Sequence, residues 1–407
     1  MTSTAFLLYS SHHSNVIQYG DRSQMCVTHE RAATMVKHSD EDLPSSDSPC
    51  LVLRHPTAEE CTAISTNTSA AWKDSLTPAL FLEESRFLTT VPLACNRGMT
   101  MWILVHRDQA PGERRILCSC ESFYKRSLTS DTSGAVSENM VHGVASVFCP
   151  SAYRGRGYAA RMMRELAKIL QTWQTEEQQC VGNTLYSDIG KQFYTKLGWL
   201  PSTRNSQIEL QPIAIAWPSL VLPIMENELG DLCKRDEEMV RLRMSVSTRE
   251  VKTRFTILPD LDHMFWHISK ETFATEYHFG KVPDVKGTIA GPPGSQIWAL
   301  WTHRYYCHPN AESSQNVLYI LRLVVEIDET STRLSTDAAK RPGHDAWNQQ
   351  MEYLRAVLQA AQAEAENWKL DVVKLWDPTS LVLDMLAQIG MEYEVQEREN
   401  DSIASLL

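Results

Sequence analysis

The sequence has no Cys-x-x-Cys pair, although ten cysteines are spread over its 407 residues. Without paired spacing there is no zinc ribbon or disulfide framework to read, and scattered thiols suit a reducing compartment. Cys118 and Cys120, two apart, read as small apolar residues on one face of a strand. No His stands with an acidic or Cys partner at ligand spacing, so no metal is expected. Long apolar runs are missing too: none reaches the ~20 residues that cross a bilayer. The stretch Ala5 to Tyr9 is too short for a signal-peptide core and no basic residue precedes it. Ser405-Leu406-Leu407 lacks the basic middle residue of a peroxisomal address. A cytoplasmic protein with no membrane contact is expected. A basic excess is also lacking. The net charge of −11 argues against a nucleic-acid partner and suits a cationic small substrate.

What is present fits two globular domains: 407 residues, 43% of them apolar. Residues 1–48 carry Ser, His and acidic clusters without periodicity and read as a mobile tail. From about 49 to 213 the expected order is β-α-β-β-β-turn-α-β-α-β. Strands fall on Leu51–Arg54, Met101–Val105, Arg115–Phe123, Val141–Phe148, Thr184–Tyr186 and Ile208–Leu210. The Ser/Thr/Asp-rich residues 126–135 read as a loop. Ala160, Met163, Ala167 and Leu170 recur on one helical face, with Leu166, Ile169 and Trp173 beside them. Phe193 to Trp199 reads as a short helix stopped by Gly198. Residues 214–246 are expected to connect the domains, with a helix over 226–246.

Residues 247–407 repeat the closing order of the first half. A strand at Val317–Glu326 and a polar loop over 327–345 lead to Trp347, Met351, Leu354, Leu358, Ala361, Ala365 and Trp368. Their alternating steps of four and three make a long amphipathic helix. Val372–Trp376 is a strand, Leu381–Ile389 a helix stopped by Gly390, and Glu392–Val395 a strand. Leu197-Gly198-Trp199 and Ile389-Gly390-Met391 sit at matching places, which points to a tandem duplication.

The chemistry concentrates between the fourth strand and the helix that follows it. Arg154, Gly155, Arg156, Gly157, Tyr158, Ala159 and Ala160 form a glycine-bearing turn, where several N–H groups meet at a helix N-terminus and suit a pyrophosphate. The pattern is neither G-x-G-x-x-G nor G-x-x-x-x-G-K-[ST]. It resembles the Arg/Gln-x-x-Gly-x-Gly/Ala signature of the GCN5-related N-acetyltransferases (GNATs). The strand Val144 to Phe148 before it and Phe193-Tyr194-x-x-x-Gly198-Trp199 after it are similar as well. Ile116 to Ser122, Leu185 to Gly190 and Trp298 to Tyr306 resemble the fungal lysine N6-acetyltransferase family, from about residue 50 to the C-terminus.

The resemblance implies a mixed α/β GNAT fold followed by a degenerate GNAT-like domain. It implies acetyl-CoA as cosubstrate, with pyrophosphate on Gly155 to Ala160, pantetheine along Val147, Phe148 and Cys149, and Tyr194 protonating the departing thiolate. The amine must lose a proton, for which Glu121 at the end of a central strand is the candidate base. Asp188 and His142 are weaker candidates. Trp301, His267 and Arg304 lie in segments dense in aromatics, His and charge. With Asp188 they are the candidates for holding an amine and a carboxylate. The second half has no glycine loop after Glu326, and Leu386 stands where Tyr194 would, so it is expected to shape the pocket. The expected function is acetyl transfer to a small-molecule amine, lysine or a related amino compound, by a monomer or homodimer. A peptide acetyltransferase and a non-catalytic CoA-binding regulator are the rival readings.

Overall fold

The computed structural model describes residues 43–249, 251–312, 314–326 and 344–407. The expected tail therefore falls outside it up to residue 42, as does most of the polar loop 327–345. In chain order, β1 (Leu51–Arg54) leads to α1 (Ala58–Trp72), whose Thr57 and Glu60 form a reciprocal capping box, and to α2 (Pro78–Leu88). Three long antiparallel strands follow: β2 (Met99–His106), β3 (Cys118–Asp131) and β4 (Val136–Phe148). The loop expected at 126–135 is mostly strand. Its serines are accommodated because β3 is paired on both sides there, by β4 and by β9 (Thr253–Ile257), which burys Ser127 and Ser130.

Helix α3 (Tyr158–Leu170) then crosses to β5 (Cys180–Ser187), parallel to β4. Its Met162, Met163, Leu166 and Leu170 are fully buried against β1–β5. Each contributes on the order of 1.5–3 kcal/mol of burial free energy. Next come α4 (Gln192–Thr195), β6 (Leu200–Pro201), β7 (Ser206–Leu210), β8 (Val221–Met225), α5 (Leu229–Met244) and α6 (Leu261–Phe279). The second half closes with β10 (Val285–Ala290), β11 (Ile297–Arg304), β12 (Val317–Val325), α7 (His344–Asn367), β13 (Val372–Trp376), α8 (Ser380–Ile389), β14 (Glu394–Glu397) and β15 (Ile403–Leu406). The expected helices at 347–368 and 381–389 are α7 and α8, and Gly390 ends α8 in the left-handed region. None of the described helices is long and apolar enough to cross a membrane.

Two sheets result, ordered β1-β2-β3-β4-β5-β15-β6 with β9 on β3, and β14-β7-β13-β12-β11-β10-β8. Each contains one parallel pair bridged by a helix: β4-α3-β5 in the first and β12-α7-β13 in the second. The repeat inferred from sequence is thus a repeat of topology. The expected boundary at 213 does not separate the sheets, however. Strand β7 of the first half pairs with β13, and β15 of the second half pairs with β5. The halves exchange their closing strands. Helix α6 lies between the sheets, with Trp266 edge-on to Phe123 of β3 at 5.1 Å and Met264 and Ile268 packed among Trp298, Leu300 and Tyr319 of the second sheet.

Asp188 supports this exchange. It is 3% exposed and accepts hydrogen bonds from the backbone N–H of Ser402 (2.7 Å) and from its hydroxyl (3.1 Å). Asp188→Ala leaves a buried N–H unpaired at the start of β15. The expected loss is about 1–3 kcal/mol of unfolding free energy in urea titration. An unchanged midpoint would show that β15 is not anchored there.

Candidate active site

Strand β4 is irregular where it matters. Opposite β3, Ser119 pairs with Phe148 and Glu121 with Ala145, so two residues of β4, Ser146 and Val147, face Cys120 alone. Ser146 takes φ +54, in the left-handed region, which marks a bulge. On the other edge, pairing with β5 stops at Val144↔Leu185, although β4 runs on to Phe148. The backbone from Ala145 to Phe148 is therefore unpaired on that side and available to an amide-bearing chain. Val147 and Cys149 pack on the first core. Phe148 stands edge-on to Trp72 of α1 at 5.6 Å, and Arg154 lies over its ring at 5.8 Å.

The turn between β4 and α3 uses two left-handed glycines, Gly155 (φ +74) and Gly157 (φ +84). A side chain at Gly155 would meet nothing within 4 Å, so the space over the turn is open. The first-turn amides of α3, at Tyr158, Ala159 and Ala160, have no carbonyl within the helix and face that space with the positive end of the helix dipole. The Tyr158 side chain does not join them: it is 1% exposed and donates to the carbonyl of Pro44 at 2.5 Å. Arg161 donates to the carbonyl of Ser46. Residues 43–48, expected as part of the mobile tail, are thus packed along the start of α3.

Tyr194 sits on α4, beyond the end of β5, in the same core as α3. It is 8% exposed, and among the described residues nothing accepts its hydroxyl proton. Burial, reinforced by Cys118 and Asp188, pushes its ionisation well above the ordinary range, so it carries its proton at neutral pH. Glu121 accepts a hydrogen bond from the Ser146 hydroxyl at 2.8 Å, which links the candidate base to the bulge. Burial holds its carboxyl above the usual value against the opposing effects of Ser146 and Lys270.

Glu121 and Ser146 lie in a cleft of about 1520 Å³, counted out to solvent, between α1, α2 and the β3–β4 bulge on one side and α6 and β11 on the other. A smaller chamber continues behind it, sharing Glu84, Trp266, Lys270 and Arg304 and reaching His267, Tyr306 and Tyr319. Sequence reasoning missed Glu84, Asp74 and Lys270. Arg304 binds Asp74 at 2.5 Å, and Lys270 reaches Glu84 at 3.3 Å. Asp74, Glu84 and Glu121 meet Lys270 and Arg304 at this junction, with Arg86 at the rim of the cleft and Lys73 beside Asp74.

The other expected ligands fall differently. Arg304 lines both chambers and His267 only the rear one. Trp301 does neither. It is 1% exposed, packed in the core under α7 and edge-on to Trp217 at 6.4 Å. Period-two alternation along β11 explains this: Trp298, Leu300, Thr302 and Arg304 face α6, whereas Trp301 points the other way. His142, the weaker base candidate, is fully buried and bonds the carbonyl of Trp173.

A strand bulge, a splayed parallel pair and a glycine turn opening a helix now stand in one half, and their topology recurs in the other. Residues 207–407 match the family described as the LYC1 GNAT-like C-terminal domain. The resemblance to the GCN5-related N-acetyltransferases is borne out, and the mixed α/β class with it. A lysine acetyltransferase of Yarrowia lipolytica (strain CLIB 122 / E 150) is 23% identical over 251 residues, covering 52% of this chain and 62% of that protein. The match thus spans less than two thirds of the relative. Among solved structures, a probable N-acyltransferase of unknown function from Enterococcus faecalis V583 is 9% identical with a TM-score of 0.49, over 88% of this chain and 72% of that one. A GCN5-related N-acetyltransferase from Kribbella flavida is 14% identical with a TM-score of 0.46, over 88% and 70%.

Gly157 tests the turn. A Cβ there would be held at positive φ and would fall 2.8 Å from the Ser46 hydroxyl oxygen. Gly157→Ala is expected to lower unfolding free energy by about 1–2 kcal/mol in urea titration. A neutral result would mean that residues 43–48 yield freely.

Proposed function

We propose that this chain is an N-acetyltransferase that moves the acetyl group of acetyl-CoA to the amine of a small molecule, lysine or a related amino compound, by direct attack. The observation that carries the reading is the hydrogen bond from Ser146 to Glu121. It sets a carboxylate beside the bulge of β4, whose edge beyond Val144 is left open for the pantetheine arm. The turn amides at Gly155 to Ala160 would hold the pyrophosphate. Arg154 and Arg156 add positive charge to that turn.

In this reading Glu121 takes a proton from the acceptor ammonium, directly or through water. The amine nitrogen then attacks the thioester carbon. A backbone N–H of the bulged strand, near Phe148, meets the charge that develops on the thioester oxygen. The carbon–sulfur bond breaks, the Tyr194 hydroxyl gives its proton to the leaving thiolate, and the second proton shed by the acylated nitrogen returns Tyr194 to its neutral form through water. The carboxylates Glu84 and Glu121 in the cleft suit a cationic acceptor, and Arg304, paired with Asp74, keeps its Nε for a carboxylate at the acceptor's far end. Walls from both halves leave a cleft suited to a small acceptor.

Release of free CoA across lysine, ornithine, polyamines and a histone-like peptide tests the proposal. Release with the small amines is expected, and activity on the peptide alone would overturn it. Tyr194→Phe is expected to lower kcat about 100-fold or more while the Kd for CoA stays within about twofold. Glu121 works only when ionised, so kcat/KM should rise with pH through an acid limb lying above the usual carboxylate range. Glu121→Gln should lower kcat/KM by about 10²–10⁴ and erase that limb. Persistence of the limb in this variant would assign the base elsewhere.

A further inference from the structure

The second half brings Lys270 and Arg304 to the junction of the two chambers, and Arg304 is paired with Asp74. Lys270 stands on α6 one turn beyond Trp266, whose ring is braced on Phe123 of β3, the strand that carries Glu121. Its ammonium is 3.3 Å from Glu84 of α2, and the two side chains are 13% and 5% exposed. Lys270 is therefore held over the cleft from both sides.

The groups that share the cleft with Glu121 can be named element by element. Cys61 comes from α1, Glu84 and Arg86 from α2, Cys120 from its own strand, Ser146 from β4, Lys270 from α6 and Arg304 from β11. Ser146 donates a neutral hydrogen bond. Lys270 pairs with Glu84 and lines the same cleft as Glu121, where its positive charge favours the ionised carboxyl against burial, alongside Ser146.

We propose that Lys270 is a positioning residue of the acceptor site: held on Glu84, its ammonium keeps the Glu121 carboxylate anionic until the acceptor delivers its proton. The inference rests on the acetyltransferase reading. It gives the second half a part in the chemistry beyond closing the pocket. Lys270 transfers no proton itself. It sets the protonation state of the group that does.

The test uses the full chain labelled with ¹³C at the Glu side-chain carboxyl. The Glu121 resonance is assigned by its loss in Glu121→Gln, and its titration is followed in wild type, Lys270→Met, Lys270→Gln and Lys270→Arg. The Glu121 midpoint is expected to rise by about one pH unit or more in the Met and Gln variants and to stay at the wild-type value in the Arg variant. The acid limb of kcat/KM for CoA release should move with it. At pH 6 the loss should be about tenfold or more, shrinking as pH rises. If Lys270→Met does not fold, Lys270→Gln, which can still bond Glu84, carries the same expectation. An unmoved midpoint, or a loss of kcat/KM equal at every pH, would overturn the proposal. If the wild type releases no CoA with any amine, the acetyltransferase reading fails, yet the carboxyl titration still decides what Lys270 does to Glu121.

Discussion

The exchange of closing strands is the constraint on which the site depends. Because β7 is laddered to β13 and β15 to β5, neither sheet is complete without the other half of the chain. Separating the halves would break main-chain hydrogen bonds in both sheets and leave buried donors unpaired, so the two are fixed face to face. The exchange also bears on the groove. The end of β5 is held on its outer edge, Tyr186 to Ala404 and Ser187 to Ile403, at the very residues where its inner edge has left β4. Asp188 then ties the next turn to Ser402. The opening between β4 and β5 is kept by a strand more than 200 residues away in the chain.

The two halves have diverged around a shared plan. The second keeps the irregularity: Leu321 is the unmatched residue of β12, and pairing with β13 ends at Ile320 although β12 runs to Val325. What filled the corresponding space is core. Leu386 is buried where the first half has Tyr194, and α7 brings Ala360, Ala361 and Ala365 against the sheet, with Trp301 and Trp368 in the same cluster. The opposite face of that sheet, turned toward α6, supplies Arg304. One copy of the plan thus presents its strand edge and turn, and the other presents charge to the cleft between them.

The parts legible in the sequence are those fixed by local chemistry. Alternating steps of four and three placed α7, a glycine placed the stop of α8, and the glycine turn with its flanking strand and Tyr194 placed the likeness to the acetyltransferases. What escaped was set by distant partners. Helix α6 shows no clean apolar stripe because it is buried on two sides, and its polar positions meet partners there: His263 bonds Lys125 of β3, and Glu271 takes His303 and Lys286. Strand β15 is four residues long and its ladder partner lies in the other half. The carboxyl end of β3 is Ser- and Thr-rich, which local rules read as a loop, yet two neighbouring strands satisfy its backbone. Trp301 was misplaced by treating a cluster as one surface. Counting by twos from Arg304 puts it on the far face of β11.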